Sequence, residues 1–423
     1  MASHLKPRDR VTCPRCLVSF LAHRRLCRCI KGCRFRDDGA KSELGAAANP
    51  RTESSISRSA LIFEPRQDLS SGGLALPLGR SRVESVPACP ACGTSPAIWV
   101  CPECLADLPT EGLGEPVVGL ALLGPAGAGK STYLAVAETE LGKLGQRAGY
   151  LIDPIDQSTH SRFGSSYQDP VYRPATGSPA GVTPTPGYHL SPNNSLTWSF
   201  RIRGNAQADS SKGFTGWLSI FDTAGSDWET RRGELAAALP VLGRAAVPLL
   251  VIDPTRIATV REELKRRAGR FNTVPGLDER IERRPIHLVD EIRGLAALLE
   301  QAGHKSPYPG HVAVIFNKLD IWGQLAEPGT ILAEIASDGA IDLPWTVSIE
   351  ARVHEEIEAL LVRWTGEAFL QHLELKLPRH RFFAISTLGI GAAEHPASAP
   401  HPVSPWITRP LAWSIEMQGL GSV

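Results

Sequence analysis

The stretch Gly124-Pro125-Ala126-Gly127-Ala128-Gly129-Lys130-Ser131 gathers glycines, a lysine and a hydroxyl at the spacing G-x-x-x-x-G-K-[ST]. Glycines there let the chain curl so that successive backbone N–H groups turn inward on an anion. Gly124, Ala126, Gly127, Ala128 and Gly129 supply that cradle, with Thr132 just beyond it. Lys130 brings a positive charge to β- and γ-phosphate oxygens. Ser131 offers a hydroxyl to Mg²⁺, a hard ion that takes oxygen ligands.

Asp222-Thr223-Ala224-Gly225 is the second group with chemistry in it. Its carboxylate suits Mg²⁺, through a water, and the Gly225 N–H suits a γ-phosphate contact that hydrolysis would release. Lys130, Asp222 and Gly225 are therefore the expected catalytic positions, joined by a first-switch threonine. Thr176 is the choice for it and Thr183 the second. The third group is Asn317-Lys318-Leu319-Asp320. Asp320 can accept from N1–H and the exocyclic amine of guanine, whereas adenine would present it with a lone pair. Asn317 would brace the loop and the Lys318 stem would lie over the ring. Later, Ser386 and Thr387 in Ile385-Ser386-Thr387-Leu388 offer backbone N–H to the base oxygen. Together these motifs call for GTP and GDP as ligands, with Mg²⁺.

Positioning such groups requires strands that end at each motif. Apolar runs are expected as strands at 117–123, 195–202, 217–221, 248–252, 311–316 and 381–385. The run Thr197-Trp198-Ser199-Phe200-Arg201-Ile202 alternates instead, as a strand half-exposed and paired antiparallel with the next one would. Helical spacing recurs at Leu134, Ala137, Leu141 and Leu144, at Ile257, Val260 and Leu264, at Leu288, Ile292, Leu295 and Leu299, and at Val353, Ile357, Leu360 and Trp364. The fold class expected is α/β: a mostly parallel sheet with one antiparallel strand and helices on both faces. Residues 115–423 would form that domain, with insertions at about 151–194 and 255–310.

On these motifs, residues 115–390 resemble a P-loop GTPase of the translation-factor and Ras-like class. With the cysteine pairs ahead of the domain and the segment Pro402–Trp413, the chain most resembles the zinc-binding double-GTPase proteins of bacterial conflict systems. That resemblance implies a second GTPase, or an effector or adaptor protein, as partner. Many such GTPases carry a glutamine after D-x-x-G to orient the attacking water. Here the position is Ser226, too short for the task, so slow turnover is expected unless Asp227, Glu229 or a partner helps. Arg231 and Arg232 are candidates for a cis arginine, or simply solvated charges.

All nine cysteines lie before residue 105. In a reducing compartment, Cys-x-x-Cys pairs are metal ligands more often than disulfides. Cys89, Cys92, Cys101 and Cys104 form C-x₂-C-x₈-C-x₂-C, the spacing of one structural Zn²⁺ site. Cys13, Cys16, Cys27, Cys29 and Cys33 can supply a second, with His23 available. The alternative is that the blocks interleave, Cys13 and Cys16 pairing across the linker. Residues 1–106 would then be a zinc-binding module with a flexible linker at about 34–86.

The 423 residues carry a formal net charge of +1, which gives no overall pull toward nucleic acid or membrane. Arginines crowd the first cysteine block, but aromatic interleaving for base stacking is sparse, so nucleic acid is not the expected partner. No run is apolar enough to span a membrane. The first residues hold no signal-peptide core, and a cytoplasmic location is expected. The reading is a slow, partner-regulated GTPase switch. Its alternatives are a GTP-dependent scaffold that hardly turns over and, less favoured, a GTP-gated zinc-ribbon nucleic-acid binder.

Overall fold

The computed structural model describes residues 9–29, 62–63, 89, 92–93, 98–109, 112–148, 150–172, 196–204, 215–238, 240–244, 246–271, 285–336, 346–388 and 406–418. Two small antiparallel sheets come first. β1 (Arg10–Thr12) pairs with β2 (Ser19–Leu21), while β3 (Leu26–Arg28) lies between β4 (Ile62–Phe63) and β5 (Ile98–Val100). Their core is small, built on Val11, Phe20, Trp99, Leu108 and Leu113 together with buried cysteines.

The main sheet has seven strands in the order β12-β11-β10-β6-β9-β8-β7. They are β6 (Val117–Leu123), β7 (Tyr150–Pro154), β8 (Leu196–Gly204), β9 (Thr215–Asp222), β10 (Ala246–Ile252), β11 (Val312–Phe316) and β12 (His380–Ala384). The five from β12 to β9 run parallel. β8 is antiparallel to both of its neighbours, so it alone runs against the rest. Every residue of β10 and β11 is buried, as strands covered on both faces must be.

One face is covered by α1 (Lys130–Ala148), α2 (Gln157–Phe163), the short α3 (Asp169–Tyr172) and the late helix Arg409–Glu416. The other carries α4 (Gly225–Thr230), α5 (Arg232–Ala238), α6 (Ala258–Phe271) and the helices Leu288–Gln301, Val347–Thr365 and Glu367–Lys376. Of the four apolar stripes anticipated from spacing, three lie on α1, Leu288–Gln301 and Val347–Thr365, and the other lies on α6 apart from Ile257, which directly precedes it. Among the described residues, the stretch 255–310 holds α6 and the helix Leu288–Gln301, both ahead of β11.

The strand β7 was not legible in the sequence, where its residues fall at the start of a polar insertion. It is a five-residue edge strand that ends in proline and leaves Leu151 47% exposed, so neither a buried run nor clean alternation marks it. Tyr150 to Pro154 nevertheless pair in register with Gly204 to Phe200.

Candidate nucleotide site with two thiol clusters

The phosphate-loop sequence turns out of β6 directly into α1. The turn works only with glycine where backbones meet. A Cβ on Gly129 would run into the Asn317 side-chain amide, and one on Gly225 would overlap the backbone of Ala126. Gly129 also holds φ +90°, a left-handed conformation that L side chains rarely adopt.

Lys130 is buried, and its ammonium donates to Gly124 O at 2.8 Å and Pro125 O at 3.1 Å. Burial pushes its pKa down to about 8, opposed by the Asp222 and Glu229 carboxylates. Ser131 Oγ donates to Asp222 Oδ2 at 2.7 Å. These two oxygens converge from α1 and from the end of β9, and a hydroxyl beside a carboxylate is the donor chemistry Mg²⁺ takes. The pair fits the ion: both would hold it, and it would supply positive charge opposite phosphate oxygens.

Tyr167, which sequence reasoning missed, reaches the same carboxylate, its hydroxyl 3.2 Å from Asp222 Oδ2. It lies in a π-helical turn, Gly164–Gln168, between α2 and α3. Such wide turns re-aim side chains within helices and recur at functional sites. A tyrosine in a proline-rich, polar stretch gives no spacing signal that could have found it. Thr176 and Thr183 lie outside the described residues, and Thr132 sits in the first turn of α1.

The run Asn317-Lys318-Leu319-Asp320 follows β11. Asn317 Nδ2 donates to Ala128 O at 3.0 Å, and its Oδ1 accepts from Thr387 Oγ1 at 2.7 Å and from Lys318 N at 2.7 Å. Ser386 Oγ donates to Asp320 Oδ1 at 2.6 Å. The motif, the phosphate loop and the turn after β12 thus form one hydrogen-bonded unit. Lys318 sits at φ +63°, and its ammonium is ion-paired with the fully buried Asp253 just after β10.

Neither expected cis arginine reaches the loop. Arg231 is exposed beside Glu234, and Arg232 stacks 4.3 Å over the Trp228 ring and pairs with Glu291. The guanidinium at the loop belongs to Arg256, which donates to Ala126 O at 2.7 Å and to Glu229 Oε1 at 3.1 Å. Glu229 Oε1 also accepts from Ala126 N at 3.3 Å. A lone arginine after a strand carries no motif, so the sequence did not single it out.

The cysteines are sorted differently from the single C-x₂-C-x₈-C-x₂-C site. Cys13, Cys16, Cys101 and Cys104 bring their sulfurs within 4.8 Å of one another, and Cys29, Cys89 and Cys92 form a second group. The interleaved alternative is the one observed. Sulfur separations are 3.9 Å for Cys13–Cys104, 3.7 Å for Cys16–Cys101 and 3.7 Å for Cys29–Cys92. Four sulfurs at about 2.3 Å from a tetrahedral Zn²⁺ lie about 3.8 Å apart, so the first group fits that ion with no open position.

Without an ion, four packed thiols cannot all ionise. Hydrogen bonding with Cys101 and Cys104, and burial, hold Cys13 and Cys16 well above the usual thiol range, while Cys101 is held below it by its bonds to Cys104 and Cys13. The turns share one geometry. Leu17, Leu105 and Gly93, each directly after a Cys-Pro-x-Cys run, adopt φ of 58°, 56° and 66°. The N–H of each bonds back to the carbonyl of that run's first cysteine.

Cys27 belongs to neither group, a correction to its expected role as ligand. Cys27 is buried in the small core, where desolvation pushes its thiol up to about 12. His23 joins neither group, and Cys33 lies outside the described residues. The knuckle Cys13–Cys16 is also docked on the main sheet. Ser219 of β9 donates to Pro14 O, Arg244 donates to Cys16 O at 2.9 Å, and Arg15 is ion-paired with Asp156, the N-cap of α2. Among the described residues no helix is long and apolar enough to cross a membrane.

No protein-family model matches the chain. A Mycolicibacterium smegmatis protein named "Putative ESX-1 scaffolding and assembly protein SaeC" is 26% identical over 408 residues, covering 91% of this chain and 92% of its own. Among solved structures, the Saccharomyces cerevisiae Ski7 GTPase-like domain bound to GTP is 16% identical with a TM-score of 0.26. The match covers 65% of this chain and 44% of that one.

Proposed function

We propose that the chain binds GTP and GDP with Mg²⁺ and works as a slow GTPase switch that acts through a protein partner. The observation that carries this reading is the Asn317 side chain, which ties Ala128 of the phosphate loop to Thr387 beside the Asp320–Ser386 pair. A loop built for phosphate and a carboxylate suited to guanine are thereby held at a fixed offset, as one nucleotide requires. Lys130 and the loop N–H groups bind phosphate oxygens, and Ser131 and Asp222 hold the Mg²⁺, which supplies charge neutralisation at the phosphates. Gly225 lies against Ala126 of the loop, and in this reading its N–H contacts the terminal phosphate. The first-switch threonine is Thr176 in this reading.

The order of elements supports residues 115–423 as the nucleotide domain and 1–106 as a zinc module. Cys33 is the proposed fourth ligand beside Cys29, Cys89 and Cys92. A cytoplasmic location and kinship with double-GTPase proteins belong to the same proposal. The alternative, a nucleotide-dependent scaffold that scarcely hydrolyses, is favoured by one observation: the residue after Gly225 is the exposed Ser226, which cannot order a water as a longer amide would. The relative's name, a scaffolding and assembly protein, agrees with a role exerted through protein contacts.

Phosphate release from GTP, measured on the full chain with and without a candidate partner, separates the two. Turnover that the partner raises supports the switch. Nucleotide binding with no release in either condition leaves the scaffold.

A further inference from the structure

Ala126 has both of its backbone polar groups engaged by one charged pair. Its carbonyl takes Arg256 Nη1 at 2.7 Å, its N–H goes to Glu229 Oε1 at 3.3 Å, and Arg256 Nη2 closes the ring on that carboxylate oxygen at 3.1 Å. The Arg256 side chain is 4% exposed and that of Glu229 is 34% exposed. A nearly dry guanidinium therefore holds a carboxylate over a loop amide.

The position of that amide along the loop is informative. Ala128 is tied to Asn317, which marks the base side. Ala126 lies two residues earlier and against Gly225, on the opposite side, where a terminal phosphate would be. Glu229 also acts electrostatically on Lys130, as Asp222 does, so its charge faces the phosphate cradle.

Resting on the guanine-nucleotide reading, we infer that Glu229 is a built-in competitor for the terminal phosphate. A γ-phosphate oxygen seeking the Ala126 N–H must displace a carboxylate of like charge. A diphosphate, which ends one group short, leaves it in place. The competition lowers affinity for GTP relative to GDP, so Glu229 sets which nucleotide the chain prefers. Once displaced, Glu229 releases Arg256 Nη2 while Nη1 stays on Ala126 O, and the guanidinium faces the incoming phosphate. Arg256 thereby becomes the charge partner of the γ-phosphate through Nη2 while Nη1 holds Ala126 O, a fork that lysine cannot reproduce.

The test is equilibrium binding of GDP and of a β,γ-imido GTP analogue, with Mg²⁺, to full-length protein carrying Glu229→Gln or Arg256→Ala. Glu229→Gln keeps the shape and removes the charge. It is expected to tighten the imido analogue by about tenfold while GDP moves less than about twofold, by loss of like-charge repulsion. Arg256→Ala is expected to weaken the analogue selectively, and retained GDP binding certifies that variant as folded. A Glu229→Gln protein that shifts both nucleotides equally, or neither, overturns the inference and leaves the guanine reading standing. Wild-type protein that binds neither nucleotide overturns both.

Discussion

Asn317 Nδ2 lies 3.0 Å from Ala128 O, and so joins a residue after β11 to a loop 189 positions earlier in the chain. The same side chain receives the Thr387 hydroxyl and the Lys318 amide. Removing it leaves three groups to find new partners. Asn317→Ala is expected to weaken GDP and GTP together, by on the order of 2–4 kcal/mol, as read by competition against a fluorescent guanine nucleotide. Asp320→Ala should act differently, losing the preference for guanine over adenine while residual phosphate binding persists.

Lys130 yields a prediction whose two halves have opposite signs. Its pKa is lowered to about 8 from a usual value of about 10.5, burial being the main cause. Between those values the unfolded chain holds a proton that the folded chain has lost. Stability from this group therefore rises with pH across that window and is lowest below pH 8, where a charged ammonium is buried. Lys130→Met should abolish nucleotide binding and yet stabilise protein freed of nucleotide, by on the order of 1–3 kcal/mol at pH 7. Denaturant melts at pH 7 and pH 9.5 check it: the gain of the variant over wild type should shrink at the higher pH.

Gly225 abuts the Ala126 backbone so closely that a Cβ has no room. Gly225→Ala is expected to push the two segments apart and to reduce binding of GTP analogues more than of GDP. Parallel titrations of the two nucleotides read this directly, and an equal loss for both would show that the substitution disturbs the whole loop instead.

The two thiol groups are expected to hold two zinc ions per chain, since each is built as a separate cluster. Cys104→Ser should release one ion and lower the melting temperature, because Leu17, next to that site, is part of the main core. Cys33→Ser should affect only the other ion. Metal content by mass spectrometry after gel filtration counts them.

The motifs were legible because each is a short local run at a strand end, where backbone geometry and side-chain chemistry are fixed together. Lys130, Asp222, Asn317 and Asp320 were singled out that way, and β6, β10 and β11 announced themselves as continuous apolar runs. What was not legible depends on the approach of distant segments. Tyr167 and Asp222 meet across 55 positions, and Arg256 reaches Ala126 across 130. The thiol pairing failed for a related reason. Sequence proximity favoured Cys89 and Cys92 with Cys101 and Cys104, whereas β5 pairs with β3 and carries the last knuckle to Cys13 and Cys16 instead.

The central claim is guanine recognition, and one comparison tests it most directly: dissociation constants of GDP and ADP for the intact protein with Mg²⁺ at neutral pH. The account predicts GDP binding at least about 10²-fold tighter, because adenine would leave the Asp320 carboxylate facing a lone pair. Equal affinity for the two, or binding of neither, would contradict it.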